Sequence, residues 1–243
     1  MDLFLLYLYA YLIGSVPTAY LIGRLVKGID IRQFGSGNVG GSNVFPHVGK
    51  WWTAVLSIFE IFVKGASPIW IGIHLLGISI EGPTGSNFLN YTLGFDRSSA
   101  SLAGAGVLAI IGNNWSVFLK FQGGRGFVVA SGTALAFAFY QLLIFIAGSL
   151  LGLKIFRNSA IVNLVSLSLL PLWAYLMGQS STIIWYSAAV AGLVVLKRLT
   201  SNWTPLPKDL PVNRVFWNRL IRDRDVESRD EWLSRAPINK NCA

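Results

Sequence analysis

Four long stretches of the chain carry no Asp, Glu, Lys or Arg: Leu3 to Ile22, Ser98 to Val117, Phe127 to Leu153 and Ser159 to Leu196. A helix needs about 20 apolar residues to cross the hydrocarbon of a bilayer, and each stretch reaches that length. No soluble domain needs so many. With 53% hydrophobic and 13% charged residues and a mean hydropathy of +0.54, the chain reads as an all-α polytopic integral membrane protein. The first stretch begins Met-Asp, without a basic leader or a small-residue cleavage signal, so it is expected to be a retained helix.

The net charge of +9 fits cytoplasmic loops and anionic headgroups better than nucleic acid, since no RNA-binding or helix-turn-helix pattern accompanies it. A single cysteine, Cys242, excludes a disulfide within the chain. His47 and His74 are too few for a histidine-rich metal site, so no metal and no cofactor is expected.

Two polar islands interrupt this apolar background. The first, Gly35 to Asn43, holds four glycines in nine residues, with Ser36, Asn38, Ser42 and Asn43 between or after them. Glycines free the backbone to turn its N–H groups inward, and hydroxyls and amides add donors, which together suit an anion. The competing role for these Ser and Asn side chains is local turn capping. Arg24, Lys27, Arg32 and Lys50 flank the island. The second runs from Gly112-Asn113-Asn114-Trp115 through Lys120 to Gly123-Gly124-Arg125-Gly126, where a guanidinium offers the forked donors that match phosphate. Neither island has P-loop spacing.

Charge sets the expected topology. The basic loop from about 23 to 50 places the N-terminus outside and the first island in the cytoplasm, with the loop 81–97 on the outer side. Gly14 and Pro17 predict a kink in the first helix, and Pro68 a break in the second, which carries Glu60 and Lys64 on one face. Residues 127–196 have the length for three crossings. Ten basic residues after position 196 nevertheless argue for a cytoplasmic tail, so the crossings must be even in number and one segment must be broken, re-entrant or split. Gly148, Gly152, Pro171 and Gly178 are the candidate break points. Residues 1–200 form the membrane domain and 201–243 a basic tail. In that tail Val212, Val215, Phe216 and Leu220 share a helical face that would lie on the membrane or pack on the loops.

The islands carry a family resemblance. Gly14-Ser15-Val16-Pro17-Thr18-Ala19-Tyr20-Leu21-Ile22-Gly23, Gly28-Ile29-Asp30-Ile31-Arg32 and Gly35-Ser36-Gly37-Asn38-Val39-Gly40 resemble the first motif of the acyl-phosphate-dependent glycerol-3-phosphate acyltransferases (PlsY family). Gly112 to Gly126 looks like the second. The resemblance covers about 200 residues and implies about seven transmembrane or half-membrane helices with the active site in cytoplasmic glycine-rich loops of the inner (plasma) membrane. It also implies the reaction: a fatty acyl group passes from acyl phosphate to the 1-hydroxyl of glycerol 3-phosphate, giving lysophosphatidic acid for phospholipid synthesis. Acyl phosphate, glycerol 3-phosphate and membrane lipids are the implied partners.

The sequence departs from the family at named positions. Gly41-Ser42 stands for Ala-Thr, Pro46 for an arginine, Asn113 for a histidine and Arg125 for a lysine. In the third motif Leu199 takes the histidine place, Pro205 an arginine place and Pro211 the glutamate place, while Asn202 is kept. The expected catalytic groups are Ser36, Asn38, Asn43 and Arg125. Gly35, Gly37, Gly40, Gly41, Ser42, Lys120, Gly123, Gly124 and Gly126 are expected to bind substrate; the resemblance adds Lys64, which precedes Gly65, together with Asn114 and Asn202. The competing reading is a non-catalytic membrane protein that binds or transports a phosphorylated metabolite or lipid.

Overall fold

A computed structural model describes residues 2–79, 97–156, 158–202, 206 and 210–228. The expected loop 81–97 up to residue 96, most of the proline-rich linker, Pro205 and Cys242 lie outside these residues. All regular structure among those described is helical.

The first helix breaks where Pro17 predicts: α1 (Asp2–Ser15) stops, and α2 (Thr18–Lys27) restarts after Pro17 and ends on Gly28 in the left-handed conformation. The first island leads into a short α3 (Gly41–His47). The second long helix is α4 (Lys50–Ile58), a π-helical segment (Phe59–Ala66) and α5 (Ser67–His74). Its irregularity therefore lies ahead of Pro68, which sits in the first turn of α5, where its missing N–H is tolerated. α6 (Arg97–Asn114) follows, then a tight turn into the second island.

After the second island come α7 (Phe127–Phe137), α8 (Phe139–Phe156), α9 (Ser159–Ser168), α10 (Leu170–Leu176) and α11 (Ser181–Thr200). The chain breaks at Ala138, at Asn158, at Leu169 and at 177–180. Pro171 and Gly178 thus adjoin real breaks. Gly148 and Gly152 do not: both lie inside α8, where they let the side chains of Ser166 and Val162 approach. Among the described residues after position 126, three runs, α8, α9 with α10, and α11, are long and apolar enough to cross a membrane, and α7 is shorter. At 11 residues α7 is about 16 Å long, roughly half a bilayer core.

Among the described residues, five helical runs are long and apolar enough to cross a membrane: Asp2–Lys27, Lys50–His74, Phe139–Phe156, Ser159–Leu176 and Ser181–Thr200. Their outward faces suit lipid. In α8 the buried residue is Gln141, while Phe139, Tyr140, Leu143, Ile146, Leu150 and Leu151 are exposed. α6 has the opposite character, with Leu102, Ala105, Ala109 and Ile110 fully buried at the centre of the bundle. Small residues let neighbours close on it: a Cβ on Gly14 of α1 would lie 2.2 Å from Ala109 O, and one on Gly112 2.3 Å from Tyr11 O.

The last helix, α12 (Val212–Arg222), packs against α11 and α9. Its buried residues are Val215, Asn218 and Arg219; Val212 and Phe216 of the expected apolar face are exposed.

Candidate active site

The two islands and the end of α11 come together at one end of the bundle, around a cavity of about 750 Å³. Backbone bonds join the islands directly, Val39 N–H donating to Gly123 O at 3.3 Å. Asn202 joins them to α11. Its Nδ2 donates to Gly37 O (3.0 Å) and Gly123 O (3.2 Å), while its Oδ1 accepts from Gly123 N (3.0 Å) and Lys197 Nζ (2.8 Å).

The first island is shaped by its own side chains. Asn43 is fully buried, and its Nδ2 donates to Ile31 O, Phe34 O and Asn38 O at 2.8–3.2 Å. Ser36 Oγ accepts from Asn38 N at 3.2 Å. Gly35 takes φ 51°, and a Cβ there would strike Asn43 Oδ1 at 2.5 Å. Below the island Asp30 pairs with Arg32 (2.7 Å) and Arg24 (3.4 Å). Hydrogen bonds from Arg32 hold its carboxyl below the usual carboxylate range. Burial pushes the His47 imidazole below its ordinary pKa, and the ring packs on Phe34 at 5.4 Å.

The second island is equally tight. A Cβ on Gly123 would meet Asn113 O at 2.2 Å, and one on Gly124 would meet Val39 O at 2.9 Å, so bare backbone is required for the loops to touch. Gly126 turns at φ 78° over Asn114.

Arg125 is the link from loops to cavity. Its Nη1 donates to Lys197 O at 2.9 Å, and its Nε donates to Asn38 Oδ1 at 2.9 Å when the Asn38 amide takes the orientation that also lets Nδ2 donate to Gly123 O. Asp223 Oδ1 lies 2.8 Å from the same Nε.

Of the expected site residues, Asn38, Gly40, Gly41, Ser42, Gly124, Arg125 and Gly126 line the cavity. Gly35, Ser36, Gly37, Asn43, Asn114, Gly123 and Asn202 stand outside its lining. Lys64 does too, fully buried on the π-helical segment, where its Nζ donates to Glu60 Oε1 (3.3 Å) and Asn113 Oδ1 (3.1 Å); those two partners line the cavity. Lys120 is exposed in a left-handed turn, away from it.

Sequence reasoning passed over four charged cavity residues. Arg198 is 1% exposed, donates to Leu220 O and Ala160 O, and lies over the Phe127 ring at 5.6 Å. Arg222, Asp223 and Arg224 arrive from the tail. A usable signal existed for Arg198: with Lys197 it forms the first charge after a long uncharged run. Four arginines against Asp223 and Glu60 leave the lining cationic, which suits an anion bearing a phosphate. Among the described residues no group of His, Cys, Asp and Glu could hold a metal ion.

An all-helical integral membrane protein with a cationic cavity between glycine-rich loops is thus defined by fold and site together. The family described as "Glycerol-3-phosphate acyltransferase" matches residues 4–206. Glycerol-3-phosphate acyltransferase 4 of Dehalococcoides mccartyi (strain CBDB1) is 31% identical over 235 residues, covering 93% of this chain and 90% of that protein. The glycerol-3-phosphate acyltransferase of Staphylococcus aureus (strain JH9) is 32% identical over 169 residues, covering 68% and 76%. The chain belongs to the glycerol-3-phosphate acyltransferase family. Its fold is similar to the crystal structure of PlsY (YgiH), an integral membrane glycerol 3-phosphate acyltransferase, in its glycerol 3-phosphate form: the TM-score is 0.70 at 22% identity, covering 91% of this chain and 96% of that one.

Proposed function

We propose that the protein transfers a fatty acyl group from acyl phosphate to the 1-hydroxyl of glycerol 3-phosphate, making lysophosphatidic acid for phospholipid synthesis. The observation that carries this reading is the junction of both glycine loops beside Arg125 and Arg198 at a cationic cavity. Family membership supports the acceptor. The acyl phosphate donor is the finer part of the proposal, supported by the two motifs in the loops.

The hydroxyl oxygen of glycerol 3-phosphate attacks the acyl carbonyl carbon, an ester bond forms, and the bond from that carbon to the phosphate oxygen breaks. Phosphate leaves with the bonding electrons and takes up the hydroxyl proton. Leu199 and Pro211 offer no side chain for that proton, so a substrate phosphate is its acceptor in this scheme. The protein then has two tasks, to hold two anions close and to stabilise developing charge. Proximity in good geometry supplies about 7–11 kcal/mol of barrier reduction, and one oxyanion donor about 3 kcal/mol. Backbone N–H groups at Gly40, Gly41 and Gly126, with Ser42, Asn38 and Arg125, are assigned to the phosphates and the oxyanion, while Gly124, whose N–H donates to Asn113 O, lets the loops close beside them. Ser36, Asn43, Asn114 and Asn202 are assigned to hold the loops, and Lys64 to orient Asn113 and Glu60. The cavity faces the cytoplasm of the inner (plasma) membrane in this proposal, with residues 201–243 as a cytoplasmic tail and the N-terminus outside.

The test is product identification by mass after incubating purified protein with acyl phosphate and glycerol 3-phosphate, beside the Arg125→Ala form. Lysophosphatidic acid made by the wild type and lost in the variant is expected. Binding of glycerol 3-phosphate without turnover, with a bacterial relative active in parallel, would establish the non-catalytic reading instead.

A further inference from the structure

Residues 211–228 lie beyond the 4–206 span of the family match, yet their Arg222, Asp223 and Arg224 line the cavity. Asp223 follows the last turn of α12 in the left-handed conformation, φ 58°, which few non-glycine residues adopt. Its carboxylate is thereby brought to Arg125 Nε at 2.8 Å and Arg198 Nε at 3.8 Å. Both guanidiniums are almost wholly buried, at 9% and 1% exposure, and Lys197 beside them is buried too. Such a cluster needs a counter-charge. A carboxylate and a phosphate are the two anions that match a guanidinium fork, and both would compete for the same two arginines.

The rest of the tail is built to hold that acid in place. Arg198 Nη1 donates to Leu220 O at 2.8 Å, Arg219 Nη1 donates to Leu199 O at 3.3 Å, and Arg219 pairs with Asp225 at 2.5 Å. Arg198 faces both the carboxylate and Leu220 O, so a phosphate that draws Arg198 away from Asp223 also draws on its bond to α12.

We propose that Asp223 is a built-in stand-in for the substrate phosphate, orienting Arg125 and Arg198 and giving way, together with α12, as the phosphate enters. The inference rests on the phosphate-handling part of the proposed function and not on turnover.

Binding of inorganic phosphate to the purified full chain, followed by titration calorimetry, tests it. Asp223→Asn removes the competitor and is expected to bind phosphate at least about fivefold tighter, the usual lower size of a coupling between linked sites. Asp223→Glu keeps a carboxylate and is expected to stay near the wild-type affinity. Unchanged or weaker binding by Asp223→Asn overturns the proposal, as does failure of every form to bind phosphate. Hydrogen exchange of the wild type is a second measurement, independent of whether the variants fold. Saturating phosphate should speed exchange across Val212–Arg222, and unchanged or slower exchange also overturns the proposal. Tighter phosphate binding by Asp223→Asn without lysophosphatidic acid formation would leave the stand-in intact and remove only the acyl-transfer reading.

Discussion

Asn202 bonds to the first island, the second island and Lys197 at once, through both polar atoms of its amide. Truncating it leaves the Lys197 ammonium with the Trp115 ring at 5.3 Å and strips Gly123 of a donor and an acceptor in a buried place. Asn202→Ala is therefore expected to cost roughly 2–4 kcal/mol of stability, read as a lower unfolding midpoint in detergent. A loss under about 0.5 kcal/mol would mean that these bonds are replaced without penalty. Asp30 gives a residue-scale prediction in pH. Its folded carboxyl titrates below its unfolded value near 3.8 because Arg32 and Arg24 favour the charged form. That contribution is fully present above the unfolded pKa and is lost as pH falls through the folded one. The wild type should lose stability over this acid window, and Asp30→Asn should flatten that limb; parallel melting curves from pH 5 down to about 2 decide it. If the two curves fall together, Asp30 does not carry the acid sensitivity.

The π-helical segment and α7 approach each other glycine to glycine: a Cβ on Gly132 would lie 2.1 Å from Ile61 O, and one on Gly65 2.5 Å from Val129 O. These neighbours are backbone, so Gly132→Ala must push the two elements apart. A loss of roughly 1–3 kcal/mol is expected, with disturbance of the Lys64–Glu60–Asn113 cluster. Gly192→Ala on α11 is the contrast. Nothing lies within 4 Å of its new methyl, and helix propensity favours alanine by up to about 1 kcal/mol. Equal unfolding midpoints for the two variants would sink the close-packing account. Legibility in the sequence divides along similar lines. Pro17 announced its break, and both islands stood out because glycine, amide and cation are anomalous in so apolar a chain. The π-helical turn had no such mark, since Phe59 to Ala66 reads as ordinary apolar helix with one charged pair. Asn43 and Asn202 were legible as site residues but not as backbone ties, because an amide side chain suits a ligand and a carbonyl equally. Asp223 was hidden by distance: it meets Arg125 only after the chain has passed through six helices, and an acid in a basic tail reads as surface charge.

For the whole molecule, the joined loops fix one side of the bundle as the side of the cavity. Phe127 at the start of α7 and Asn158 after α8 both line it, as does Arg198 near the end of α11, so the chain leaves and returns to that side. Asn38 and Asn113, after the first helix and at the end of α6, line it as well. The basic residues follow the same division, with Arg24, Lys27, Arg32, Lys50, Lys197 and Arg198 all at helix ends or loops on this side. The positive-inside rule supports the proposal that this side is cytoplasmic. The chain supplies its own probe for this, since Cys242 is its single cysteine and belongs to the tail that follows α11. A membrane-impermeant maleimide should label Cys242 in inverted membrane vesicles and leave it unlabelled in intact spheroplasts, with full labelling in both once detergent is added. Labelling from outside intact spheroplasts would reverse the orientation. The cationic cavity would then face outside, and the cytoplasmic placement proposed for the reaction would fail with it.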